Sequence, residues 1–347
     1  MMVKLERKKQ IVVIFLVSLG LILGYRYYFS PIRQIEKYSS EEDFSQFMYT
    51  AANDDYLYVI KIQSLNKDKL LVFDIANPDN TEIVKEQSFT KSLGTVMGMT
   101  IYNDFMFLVS QQRGILVFDI SNPTSPHLEK EFNFSKDGHY YSPLLISNNI
   151  GYISEIIPGE RAEDDIYKLH ILYVGEPLSI KEISNILNGG KPLAKQGNYL
   201  YTAVLRSDNQ LSQFPNHLGV LDVSDPNKPI IVKEFYDINL IGDMDIKNNL
   251  LYISVNDQLL VADASEPIDP IFIGHINLPV GEIIIHGNYL YYMNFFAIEV
   301  IDVSNPNSPR VIDKKKLSQA RDFVLADGYL YLIDSYDGLF IYKTLEK

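Results

Sequence analysis

One phrase returns along this chain at near-regular intervals: an apolar strand closed by Asp, then a hydrophobic residue, a small residue, Asn or an acid, and Pro. It reads Leu71-Val72-Phe73-Asp74-Ile75-Ala76-Asn77-Pro78 first, then Leu116-Val117-Phe118-Asp119-Ile120-Ser121-Asn122-Pro123, then Gly219-Val220-Leu221-Asp222-Val223-Ser224-Asp225-Pro226. Further copies run from Asp263 to Pro267 and from Asp302 to Pro306. A unit this short cannot bury its own apolar face, so its copies must stack on one another. Two degenerate copies complete the series: Leu172-Tyr173-Val174-Gly175-Glu176-Pro177 has Tyr in place of Asp, and Gly338-Leu339-Phe340-Ile341-Tyr342-Lys343 has Lys there. The Asp position thus falls at 74, 119, 173, 222, 263, 302 and 343, with intervals of 45, 54, 49, 41, 39 and 41 residues. These intervals suit four-stranded propeller blades with loop insertions.

A second phrase gives an independent count. A turn of Asn, Asp or Gly precedes an aromatic strand at Asn198-Tyr199-Leu200-Tyr201, Asn288-Tyr289-Leu290-Tyr291 and Gly328-Tyr329-Leu330-Tyr331, with looser copies beginning at Asp55, Asp104, Asn149 and Asn249. Seven occurrences result. Asn, Asp and Gly tolerate the positive φ of a tight hairpin, and alternating aromatics suit a pleated strand. Each unit reads as four short strands without helical periodicity, so the fold class is all-β, a seven-bladed β-propeller. The last unit stops after its third strand, while Pro31-Ile32-Arg33-Gln34-Ile35-Glu36-Lys37-Tyr38 resembles a fourth strand. Residues 30–40 are therefore expected to complete the last blade and close the ring.

The Leu-Gly-Val-Leu-Asp-Val-Ser-Asp-Pro phrase at 218–226, with Gly197-Asn198-Tyr199-Leu200-Tyr201 upstream, resembles the LVIVD repeat. The resemblance spans residues 31–347 and departs in the third unit, where Asp is lost, and in the seventh, where the chain ends. It implies a bacterial or archaeal cell-surface protein of propeller type. The family brings no catalytic residues to this sequence.

Residues 1–29 read differently. Lys4, Arg7, Lys8 and Lys9 precede an uncharged stretch from Ile11 to Gly24, which Tyr25, Arg26, Tyr27, Tyr28 and Phe29 close. The strictly uncharged run has signal-peptide length, but the flanking tyrosines extend it to spanning length, and aromatics suit a membrane interface. No good small-x-small cleavage site follows. The reading favoured here is an uncleaved signal anchor, with a removed signal peptide as the alternative. The basic flank places the N-terminus in the cytoplasm and residues 30–347 outside the cell membrane.

The net charge of −13 argues against nucleic acid. The absence of Cys excludes disulfides, thiol catalysis and Cys-ligated zinc, and the absence of Trp sets the chain apart from WD-type repeats. No Gly-x-Ser-x-Gly or phosphate-loop motif is present, and Asn188-Gly189-Gly190-Lys191-Pro192 lacks the Ser/Thr such a loop needs. His127, His139, His170, His217, His275 and His286 show no metal-ligand spacing. The repeated Asp is best read as the head of an Asx-turn. Glu160, Glu163, Asp164 and Asp165 read as a solvated loop.

One constellation follows from aligning the repeats. Nine residues before the second aromatic of each Tyr-x-Tyr phrase stand Tyr49, Gly98, Pro143, Pro192, Asp243, Glu282 and Asp322. These positions should open the innermost strands, at the mouth of the central channel. Asp243, Glu282 and Asp322 come from three consecutive units, and converging carboxylates suit a hard cation such as calcium or a cationic partner group. The plainer alternative is solvated funnel residues, with Lys191 and Arg321 pairing beside them. No other cofactor is expected. The function expected is a binding or interaction scaffold for an extracellular protein or a cell-wall polymer; the alternative is a glycan hydrolase or lyase using the funnel carboxylates.

Overall fold

The computed structural model describes residues 33–38, 46–53, 55–62, 68–133, 138–160, 165–205 and 216–345. Their strands form seven antiparallel sheets that follow one another along the chain. In the fourth blade, for example, Lys191–Gln196, Tyr199–Leu205, Asn216–Asp222 and Ile230–Asn239 pair in chain order. The expected all-β, seven-bladed propeller of four-stranded blades is therefore the fold.

Local chemistry accounts for each blade. The turn between the first two strands uses positive φ at Asn103, Asn149, Gly197, Asn249, Gly287 and Gly328, the residues whose backbones tolerate it. At the end of the third strand, the Asp carboxylate turns back on its own chain. Asp74 Oδ1 accepts from Ala76 N at 3.0 Å, Asp119 from Ser121 N at 2.8 Å, Asp222 from Ser224 N at 2.8 Å, Asp263 from Ser265 N at 2.9 Å and Asp302 from Ser304 N at 3.0 Å. The repeated Asp is thus an Asx-turn in all five copies, as the sequence suggests.

The strand carrying Tyr-x-Tyr is buried on both faces, because each blade is sandwiched between two others. Tyr58 and Ile60 join a cluster with Met106 and Leu108 of the second blade, while Leu57 and Val59 join one with Tyr331 and Ile333 of the seventh. Among the described residues, seven such clusters fill the gaps between successive blades, the seventh-to-first gap included. The core is therefore a ring of inter-blade cores, and these second strands read as nearly continuous apolar runs for that reason.

The ring closes as expected. Arg33–Tyr38 pairs antiparallel with Gly338–Lys343 and forms the outermost strand of the last blade. It covers the outer edge of Gly338–Lys343 and brings the last blade to four strands. The third blade departs from the pattern: its first strand is split into Tyr140–Tyr141 and Leu145–Ser147, both paired with Ile150–Ile157. Pro143, which has no N–H to donate, lies in the gap. The basic flank and apolar segment of residues 1–29 lie outside the described residues. Among the described residues no helix is long and apolar enough to cross a membrane.

Candidate functional site

The innermost strands are Gln46–Ala52, Val96–Tyr102, Leu145–Ser147, Lys191–Gln196, Ile241–Lys247, Glu282–His286 and Ala320–Ala326. All seven aligned positions, Tyr49, Gly98, Pro143, Pro192, Asp243, Glu282 and Asp322, line a single cavity of about 460 Å³ at the mouth of the central channel. The cavity is two-sided. Blades two to four contribute Met97, Met99, Leu144 and Leu193, and blades five to seven contribute the three acids. On the apolar side the wall is tight: a Cβ on Gly98 would stand 2.8 Å from Pro143 Cβ.

Two of the acids have a structural task that the alignment did not reveal. Asp243 Oδ1 accepts from its own blade at Met244 N, 2.9 Å, and Oδ2 accepts from the next blade at Ile283 N, 3.0 Å. Asp322 does the same, from Phe323 N at 2.9 Å and from Thr50 N of the first blade at 2.7 Å. Asp245 repeats the arrangement with Ile246 N at 2.7 Å and Ile285 N at 2.9 Å. These carboxylates clamp neighbouring inner strands whose edges have no sheet partner across the blade gap. The signal for Asp245 was present in the i, i+2 spacing from Asp243 on one strand.

Glu282 has the longer side chain and stands in the funnel between them. Burial and the nearby charges of Asp322 and Asp243 push its carboxyl well above the usual range, an effect moderated by the side chain's access to water through the mouth. Burial raises Asp322 likewise and takes Asp243 to about 6. Tyr49 is also raised, by burial first and then by Asp322 and Glu282. Lys191 lines the cavity and partly offsets the acids. Arg321 behaves differently from the expected pairing partner. Its Nε donates to Ser335 Oγ, and its guanidinium lies 5.8 Å from the Phe295 ring centroid.

As a set, the three funnel carboxylates do not bring oxygens within 4.8 Å of one another. Among the described residues, only Asp119, His127 and Glu129 bring three ligand atoms that close, at a surface corner of the second blade. A calcium ion with oxygens at 2.3–2.6 Å would require the funnel acids to draw together.

The histidines are less dispersed than their sequence positions suggest. His139 Nδ1 lies 2.8 Å from Glu155 Oε1, and His170 Nε2 lies 3.0 Å from Glu155 Oε2, with Tyr141 OH donating to Oε1 at 3.3 Å. Glu155 is buried, and the cluster borders a second cavity of about 590 Å³ between blades two and three. These contacts arise from antiparallel register, Tyr141 opposite Glu155 and Ile153 opposite His170, and no linear motif announces them. Gly159 N donates to Asp165 Oδ1 at 2.9 Å in the acidic loop, while Glu163 and Asp164 lie outside the described residues.

The chain is similar to known proteins chiefly in fold. No curated relative matches the sequence. Solved structures that resemble it include Saccharomyces cerevisiae Sqt1, at 8% identity over 90% of this chain and 98% of that one with a TM-score of 0.57. The computationally designed Ika8 protein matches at 12% identity over 88% and 98%, TM-score 0.55. BamB from Moraxella catarrhalis matches at 12% identity over 90% and 99%, TM-score 0.52. At these identities the likeness shows the propeller fold alone. The LVIVD repeat model matches four times, at residues 93–133, 192–237, 242–277 and 280–314, in the second, fourth, fifth and sixth blades. These four matches fall in blades where the two repeated phrases stand in register, so the chain carries LVIVD repeats in at least four of its blades.

Proposed function

We propose that this protein is a binding module, tethered to the cell membrane by residues 1–29, which presents the funnel face of its propeller outside the cell to a cationic group of a partner. The observation that carries this reading is the convergence of all seven aligned positions on one cavity, with acids from three successive blades on one wall. The glycan hydrolase reading is less well supported. A glycosidase needs one carboxylate as acid and a second free to act as nucleophile or base. Glu282, with its raised carboxyl, suits the first role, but the backbone N–H groups of two blades fix both carboxylate oxygens of Asp243 and of Asp322 in place, so neither carboxylate is free to move onto a sugar carbon or a water as a nucleophile or base must.

Each of those oxygens keeps a further lone pair, so the acids can clamp the blades and still face a cation. Scanning calorimetry of the protein with calcium, methylammonium and guanidinium tests this, since a bound cation raises the melting temperature by mass action. The expected result is a rise with at least one of the three that Glu282→Gln abolishes. No shift with any of them overturns the reading. For the tether, retention in the membrane fraction after high-pH carbonate extraction is expected, and full release of a chain beginning near Tyr25 would refute it.

A further inference from the structure

The hairpins beside the funnel expose an aromatic surface that packing inside the propeller does not require. Phe296 is 65% exposed and Tyr336 is 67% exposed, high values for side chains of their size. Phe295 is 44% exposed and meets Phe296 edge-on, with ring centroids 5.0 Å apart. These residues lie in the turns between the second and third strands of blades six and seven, Tyr289–Asn294 to Ala297–Asp302 and Tyr329–Asp334 to Gly338–Lys343.

Arg321 joins this surface to the funnel. It lines the cavity next to Asp322, lies against the Phe295 ring, and donates to Ser335, the neighbour of Tyr336. The platform is also held firmly. Ala320 N donates to Phe295 O at 3.0 Å, Leu317 N donates to Phe296 O at 2.8 Å, and Asp334 Oδ1 accepts from Tyr336 N at 2.9 Å. A rigid, exposed aromatic group costs little entropy to cover, which is the property of an interface anchor.

We propose that funnel and rim are one docking surface for a basic polypeptide segment: a Lys or Arg side chain enters the cavity toward Glu282, and an apolar side chain next to it covers Phe296 and Tyr336. This deepens the binding-module reading and rests on it. Charge selects the occupant. The chain carries a net charge of −13, and the cavity sets three acids, Asp243, Glu282 and Asp322, against two cations, Lys191 and Arg321, of which Arg321 is engaged by Ser335 and the Phe295 ring. The three carboxylates do not offer oxygens all within 4.8 Å of one another, as a compact metal ion would need, whereas an ammonium or guanidinium on a flexible stem can pair with Glu282 alone. The apolar wall of Met97, Met99 and Leu144 can take the methylene stem of such a side chain. Bringing in a cation also favours the ionised acids, so docking should release protons.

The test uses the full chain and an array of heptapeptides with Lys, Arg, Gln or Glu fixed at the centre and the other positions varied. Binding is expected in the Lys and Arg sets, strongest where an apolar residue adjoins the centre, and weaker at high salt. Phe296→Ser and Tyr336→Ser, at exposed positions that leave the fold intact, should each weaken it roughly tenfold and remove the apolar preference, while Glu282→Gln should remove the preference for a basic centre. Equal binding of the Glu and Lys sets, binding indifferent to all three substitutions, or binding of glucosamine oligosaccharides in place of any peptide would overturn the proposal. A melting shift with methylammonium that depends on Glu282, with no peptide binding, would leave the binding-module reading standing and remove this one.

Discussion

Asp334 gives the sharpest test of how the seventh blade and its aromatic hairpin are held. Its side chain is fully buried, and its two oxygens accept four backbone N–H bonds. Oδ2 takes Ser318 N at 2.8 Å and Gln319 N at 2.7 Å, and Oδ1 takes Tyr336 N and Asp337 N, both at 2.9 Å. One carboxylate thus fastens the entry to the innermost strand to the hairpin that carries Tyr336. Hydrogen bonds to a charged group contribute about 1.5–3 kcal/mol each. Four would exceed any plausible single-site loss, but in Asp334→Ala some of the freed N–H groups lie near the surface and regain water. The expected cost is about 3–5 kcal/mol, the range for breaking a buried charged network. Asp334→Asn separates the pairs. Its amide oxygen can serve one pair of donors, while its NH2 faces the other, so it should lose about half as much. Equilibrium urea unfolding with an unchanged slope measures both variants. A loss under about 1 kcal/mol for Ala, or an Asn variant as stable as the parent, would refute the assignment.

Glu282→Gln should stabilise the protein near neutral pH, because burial and the neighbouring acids raise the Glu282 carboxyl above its ordinary value of about 4.3. A raised carboxyl binds more protons folded than unfolded, so its contribution is fully present below the ordinary value and is lost as pH rises through the folded one. Melting temperatures across that interval should fall less steeply with pH in the Gln variant, and parallel profiles would contradict this. The equivalent tyrosines should respond differently to removal of the hydroxyl. Tyr201 OH donates to Pro267 O at 3.0 Å, so Tyr201→Phe should cost about 1 kcal/mol, whereas the buried Tyr331 OH finds no hydrogen-bond partner among the described residues and Tyr331→Phe should be neutral or stabilising in urea titrations. A chain beginning at Glu41 lacks the strand Arg33–Tyr38 and should melt lower and associate more than one beginning at Ser30; equal melting and solubility would count against closure by that strand.

The repeat carried most of the fold in plain view. The Asn/Gly turns, the Tyr-x-Tyr strands and the Asx-turn aspartates are local hydrogen-bonding and dihedral preferences, and a local preference repeated five to seven times is readable without knowing where the units meet. Even the closing strand was legible, since a missing fourth strand at one end of the chain and an orphan strand at the other are both facts of sequence. The alignment also found the funnel, because equivalent positions in a ring must face the same axis. It could not show that Asp243 and Asp322 reach N–H groups of the next blade, or that Arg321 turns from those acids to Phe295. Nor could it join His139 and His170 at Glu155, or bring Phe295 and Ser335, from two different hairpins, together on Arg321. Those meetings depend on how closely one sheet packs against the next and on strand register within a blade. Both are decided by side-chain volumes filling the inter-blade gaps rather than by any residue's own neighbours in the chain.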